Sequence, residues 1–174
     1  MRVIGVDPGS AITGFGVVQG QGATLEHVAA GVIRTRPRNS YPDKLLTIYQ
    51  RLCGLIRRYE PEAMSLERSF VATNVQSAFR LGEARAMALL AAAAHRLELF
   101  EYAPAHVKLT VAGHGRADKS QVKFMVRRVL TMPETRALSD DAADALAIAL
   151  CHLRMARFSA AGSAPRRAGS SARL

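Results

Sequence analysis

Between residues 2 and 35 the chain reads as three strands in a row with nothing helical between them, and that run decides the architecture. Arg-Val-Ile-Gly-Val-Asp at 2–7 is a buried-type strand stopped by Pro8-Gly9-Ser10. Residues 12–19 form a second strand with glycines at 14 and 16, and the stretch 20–23 turns into a third strand over about 24–35. Consecutive strands joined by short turns make an antiparallel meander. After a loop at 36–42, Leu45, Leu46, Ile48, Tyr49, Leu52, Leu55 and Ile56 repeat at helical spacing until Glu60-Pro61 ends them. A short strand at 63–67 follows, then an alanine-rich helix capped by Asn74 and running to about Arg96, then a fifth strand at 97–102. Three further helices fit near 104–112, 119–130 and 140–157, with a basic loop at 113–118. A meander joined to two parallel crossover strands predicts an α/β fold: a mixed five-stranded sheet with helices on both faces. In such a sheet the ends of the first and fourth strands are neighbours.

The formal charge is +10. The segment after Arg157 is Ser/Ala/Gly/Arg-rich; it holds Arg166, Arg167 and Arg173 and no acids, so the body keeps +7. We expect one folded domain over 1–157 and a flexible, basic, low-complexity tail over 158–174. A body this basic suits a phosphate backbone. Cys53 and Cys151 fall inside apolar helical patterns without partners at metal-ligand or redox spacing. They read as reduced core thiols of a cytoplasmic protein. The first residues enter a strand directly, without a signal peptide's apolar region, and Glu83, Arg85 and His95 interrupt the longest apolar run. No membrane partner is expected.

Four carboxylates stand out against that charge: Asp7 and Glu67 at strand tips, and Asp141 and Asp144 one helical turn apart. Taken singly, most have ordinary explanations. Asp7 can start a Pro-Gly turn, Glu67 can be a solvated strand end, and Asp140 and Asp141 follow the N-cap candidate Ser139 as first-turn acids. Asp144 does not fit such an explanation. It interrupts an apolar run of alanines, Leu146 and Ile148, where an unpaired carboxylate is costly to bury. Residues three apart share a helix face, so Asp141 and Asp144 point the same way, and a metal would satisfy both. Hard oxygen donors suit Mg²⁺ or Mn²⁺, and no Cys/His cluster argues for zinc. Two such ions roughly 3.5–4 Å apart activate water and stabilise the leaving oxygen in an in-line attack on a phosphodiester. The expectation is a single cage of four acids, partly protonated when no cation is bound, in a protein that cuts nucleic acid.

Asp7-Pro8-Gly9-Ser10 with Thr13-Gly14-Phe15-Gly16 opens an ordered set of motifs. Glu67-Arg68-Ser69-Phe70, Leu81-Gly82-Glu83-Ala84-Arg85, Val107-Lys108, Asp118-Lys119-Ser120-Gln121-Val122 and Asp141-Ala142-Ala143-Asp144-Ala145-Leu146-Ala147 complete it. Over roughly residues 1–155 this set resembles the RuvC family of Holliday-junction resolvases. The resemblance implies a ribonuclease-H-like nuclease domain that nicks four-way DNA junctions symmetrically as a homodimer during recombination and repair. It implies Mg²⁺, with Mn²⁺ as a substitute, at two ions per site held by Asp7, Glu67, Asp141 and Asp144. Lys108 and Lys119 match basic residues near the scissile phosphate and join those acids as catalytic residues. A branch-migration helicase complex of the RuvA–RuvB type is the implied partner. Some members carry histidine where this chain has Asp141, and the tail departs from the family pattern.

Other residues carry two readings. Phe70 either folds back on the core or stacks on an unpaired base of an opened junction, and the resemblance favours the second. Arg80, Arg85, Arg116 and Lys123, with Arg127 and Arg128, are candidate phosphate contacts, although each alone can be a solvated charge. The alanine-rich helix has little polar face and is expected to be buried on most sides, by its own chain or by a second copy. A nuclease acting on RNA or RNA–DNA hybrids is the nearest alternative. An actin-like ATP-binding protein needs a second domain and phosphate loop for which there is no room. A non-catalytic junction binder would lack at least one of the four acids.

Overall fold

The structure is a computed structural model that describes residues 1–68 and 74–162, the last five as backbone alone. One sheet carries strands β1 (Arg2–Asp7), β2 (Ile12–Gln21), β3 (Thr24–Arg34), β4 (Ala63–Glu67) and β5 (Glu98–Tyr102), in the order β3-β2-β1-β4-β5. β1–β2 and β2–β3 pair antiparallel, and β4 runs parallel to both β1 and β5. This is the predicted meander plus two crossovers. β1 is central because it is apolar on both faces: Val3, Ile4 and Val6 are fully buried.

One face is covered by α1 (Tyr41–Tyr59) and α2 (Val75–Ala94). Ser40 caps α1 by accepting from the Asp43 N–H, and Asn74 caps α2 as predicted by accepting from the Ser77 N–H. Side-chain volume fills this layer: Ile4, Val6, Val17, Met64 and Leu66 from the sheet meet Ile48, Leu52 and Ile56 from α1 and Ala84, Ala88 and Ala91 from α2. α2 is not buried on most sides. Val75, Phe79 and Leu90 are 72%, 69% and 51% exposed, so this one chain leaves an apolar face of the helix uncovered.

The other face carries α3 (Pro104–Ala112), α4 (Lys119–Val129) and α5 (Asp140–Gly162). Here the helix lies almost on the sheet backbone. A Cβ added to Gly5 would stand 2.1 Å from the Ala145 carbonyl oxygen, and one on Gly16 2.7 Å from the Leu146 nitrogen. One on Gly14 would stand 2.1 Å from the Asp141 carbonyl oxygen. Register sets Gly5 opposite Gly16, and Gly14 opposite Asp7. Glycines below and Ala145 and Ala149 above let α5 descend until its first turn sits beside the tip of β1.

α5 runs to Gly162, beyond the predicted end at 157, because Phe158-Ser-Ala-Ala contains no breaker and alanine favours helix. Residues 163–174 of the expected tail, and Phe70, lie outside the described residues. Both cysteines are buried and free. Among the described residues no helix is long and apolar enough to cross a membrane.

Candidate active site

Asp7 ends β1 and Glu67 ends β4, and the parallel register pairs Val6 with Leu66, so the two tips are adjacent. Neighbouring strands lie about 4.8 Å apart, which sets the scale of their separation. α5 brings Asp141 and Asp144 over the same end, with Ser139 accepting from the Ala142 N–H at its start. Asp7, Glu67 and Asp144 line a cleft of about 260 Å³ with Lys108, Lys119, Pro104, Val107, Val122 and Ala147. Five of the six residues predicted as catalytic thus share one cleft. Asp141 is half-buried and stands outside the lining.

Burial and like charge act together on these acids. Burial, then Asp144, Glu67 and Asp141, push the Asp7 carboxyl up from 3.8 to about 7, with only Lys119 opposing. Glu67 is also raised, first by burial and then by Asp144, while Lys108 and Lys119 pull it back. Lys119 places its Nζ 3.2 Å from an Asp144 carboxylate oxygen, and this hydrogen bond is the first cause of its raised value. Asp141 takes part through its field on Asp7.

The four acids expected to share one cage stand together at this end of the sheet. Among the described residues, no three His, Cys, Asp or Glu side chains converge closely enough to hold one metal ion together. The Lys119 ammonium stands against Asp144 and takes up part of its charge. The donor chemistry nevertheless fits a hard divalent cation. The set is all carboxylate oxygen, and a cation would offset both the burial and the neighbouring acids that push the Asp7 carboxyl up to about 7.

The remaining candidates divide. Arg85 is half-buried; it donates to the Glu67 carbonyl oxygen at 3.2 Å and pairs with Glu101. It therefore ties α2 to the tips of β4 and β5 and positions Glu67, a role that residue type alone does not reveal. Lys123 donates to Asp140 at 2.8 Å, bracing α4 against the start of α5. Arg80 is exposed, its guanidinium 5.8 Å from the Tyr41 ring centroid, and Arg116 is exposed in the loop before α4. Neither lines the cleft. Sequence reading missed Gly14, Gly5 and Gly16 as the seat of α5; the glycines alternating along the second strand were its only signal.

A mixed sheet ordered β3-β2-β1-β4-β5, with carboxylates at the tips of its two central strands and on the crossing helix, defines the ribonuclease-H-like nuclease class. A family model described as "Crossover junction endodeoxyribonuclease RuvC" matches residues 3–152. The chain belongs to the RuvC family of crossover junction endodeoxyribonucleases. It is 46% identical over 159 residues to the relative of that name from Alkalilimnicola ehrlichii, covering 91% of this chain and 94% of that one. The relative from Pelotomaculum thermopropionicum is 45% identical over 87% of this chain and 92% of its own. Among solved structures, "T. thermophilus RuvC in complex with Holliday junction substrate" superposes with a TM-score of 0.85 at 34% identity, covering 91% of this chain and 96% of that one. The yeast mitochondrial resolvase Ydc2 shares the fold at 16% identity with a TM-score of 0.66.

Proposed function

We propose that this protein resolves Holliday junctions by paired, symmetric, metal-dependent nicks, during DNA recombination and repair in the bacterial cytoplasm. The observation that carries this reading is the cleft itself: three acids and two lysines converge at one strand end of a +10 protein. Membership of the RuvC family supports it.

Asp7, Glu67 and Asp144 would hold divalent ions, with Asp141 adding its charge; Mg²⁺ is the expected ion, Mn²⁺ a substitute, and two ions per site the expected number. When bound, such ions activate water and stabilise the leaving oxygen. Lys108 and Lys119 flank the acids and are set to hold the phosphate of the scissile bond. Lys119 changes partner in doing so, from Asp144 to the phosphate. Arg85 keeps Glu67 in place from behind. Arg116 and Arg80 remain candidate DNA contacts, and Phe70 a candidate stacking residue.

Two symmetric nicks need two sites, and α2 offers the seam. Val75, Phe79, Gly82, Ala86, Leu90 and Ala93 follow one another at three- and four-residue spacing on its surface. Small residues in that stripe allow a second helix close approach, so a two-fold dimer covers it. A branch-migration helicase complex of the RuvA–RuvB type is the proposed source of the junction.

The test is cleavage of a synthetic four-way junction beside a linear duplex of the same sequence, with Mg²⁺ and with chelator. Paired symmetric nicks on the junction alone, and only with metal, are expected. Equal cutting of linear duplex, or cutting in chelator, refutes the reading; preference for an RNA–DNA hybrid supports the alternative substrate.

A further inference from the structure

A second cleft, of about 540 Å³, lies between α1 and the outer strands β2 and β3, on the face opposite α5. Arg34 from the end of β3 and Arg51 and Arg58 from α1 rim it, and Phe15, Val32, Ile33 and Leu55 lie among its lining. Arg51 and Arg58 are two turns apart on one helix face, roughly 10 Å along the axis. Gly54 lies between them, and a Cβ there would meet nothing within 4 Å, so the trough stays open along its length.

No acid lines this cleft. Among the described residues, no carboxylate pairs with any of the three guanidinium groups. Arg58 has a local reason to be where it is: it sits 5.3 Å from the Tyr59 ring centroid and in the last turn of α1, where a cation favours the helix dipole. Arg34 blunts an edge strand. Neither reason accounts for Arg51, nor for three cations sharing a trough without an anion, since like charges repel.

Its place in the fold suggests what the anion is. The pairing registers put Asp7, Gly14 and Val32 in one row across the sheet, and Arg34 lies two residues beyond Val32. β3 is two strands, about 10 Å, from β1. The rim thus begins at the same end of the sheet as the catalytic acids, displaced outward on the flank away from α2. Exposed Arg36 and Arg38 continue it in the loop after β3. With α2 as the proposed two-fold seam, this flank faces outward from the seam, at the β3 edge of the sheet.

We infer that the Arg34–Arg51–Arg58 trough holds the phosphodiester backbone of a junction arm, outside the strands that are cut. The inference rests on the resolvase reading. Guanidinium groups present a fork that matches phosphate oxygens, and open spacing along a trough fits a repeating anion better than a single one.

The test compares Arg51→Gln/Arg58→Gln with Arg96→Gln/Arg136→Gln, which removes the same charge elsewhere. Binding of a fluorescent four-way junction is measured in chelator across a salt series, first with the wild type. Failure of the wild type to bind the junction in chelator, or to cut it with Mg²⁺, sinks the resolvase reading itself. Given wild-type binding, each phosphate that no longer meets a guanidinium lowers the log–log salt slope by about 0.9, so the trough variant should fall by roughly 1.8 and the control by well under half of that. The difference should vanish on a junction whose arms are trimmed to a few base pairs, and Arg51→Lys/Arg58→Lys should restore most of the slope. Equal slopes for the two double variants overturn the inference. So does an unchanged junction slope together with abolished binding of a poly-glutamate peptide, which would make the trough a seat for an acidic protein segment.

Discussion

The two faces of the sheet are packed by opposite means. On the α1/α2 face, large side chains such as Ile4, Ile48, Leu52 and Met64 fill the space between layers. On the α5 face, three glycines remove side chains so that helix backbone meets sheet backbone. A layer held apart by volume absorbs small changes through rotamers, whereas backbone on backbone leaves no slack. The acids stand on the face without slack. Stability can be tuned from one side and catalytic geometry from the other.

The widest gap between the faces should come from Asp144→Asn. We expect junction cutting to fall by on the order of 10³-fold with binding kept, because a carboxylate proposed to hold the divalent ion is lost while the DNA-facing surface persists. Loss of binding in equal measure would make Asp144 structural.

Next is a matched pair of packing changes. Gly14→Ala forces a methyl toward the Asp141 carbonyl, so α5 must lift, and a displacement near 1 Å lowers cutting by about 10²-fold. Ile48→Val on the other face should cost about 1 kcal/mol in denaturant unfolding and leave the cutting rate at saturating junction unchanged. Equal catalytic losses would erase the distinction between the faces.

A third effect is set by pH. The folded Asp7 carboxyl titrates near 7, above its ordinary 3.8, so the folded state holds a proton that the unfolded chain has released. Stability of the metal-free protein therefore falls as pH rises from about 4 to 7, and the whole penalty is present above that range. Asp7→Asn should stabilise the metal-free protein by on the order of 2–4 kcal/mol at pH 8 and hardly at all at pH 4. Thermal melts at the two pH values check it; a gain independent of pH would assign the effect to shape rather than charge. The smallest effect belongs to Arg85→Met, which frees the tip of β4. It should lower the cutting rate about 10-fold, as loss of a supporting partner does, with junction affinity little changed.

Much of this was legible in the residues. The meander and crossovers follow from three uninterrupted strands and then alternation, and the closeness of Asp7 and Glu67 follows from parallel pairing. Asp144 was conspicuous because it broke an apolar run. What could not be read was distance between layers: the seat beneath Asp141 depends on which strand glycines face α5. Arg85 carried the same sign as any DNA-contacting arginine, and only the fold brings it to Glu67 and Glu101. Apolar periodicity along α2 called for cover without saying whether that cover belongs to the same molecule. The pairing of Lys119 with Asp144 was equally hidden, because the two lie 25 residues apart and only the fold brings α4 against α5.

The most direct measurement is calorimetric titration of Mn²⁺ into the metal-free protein at several pH values, for the wild type and Asp7→Asn. The wild type should bind more tightly as pH rises toward 7 and release protons on binding, while Asp7→Asn binds weakly with no such release. Equal affinity in the two proteins, unchanged by pH, would contradict a metal site built on Asp7 and its neighbouring acids.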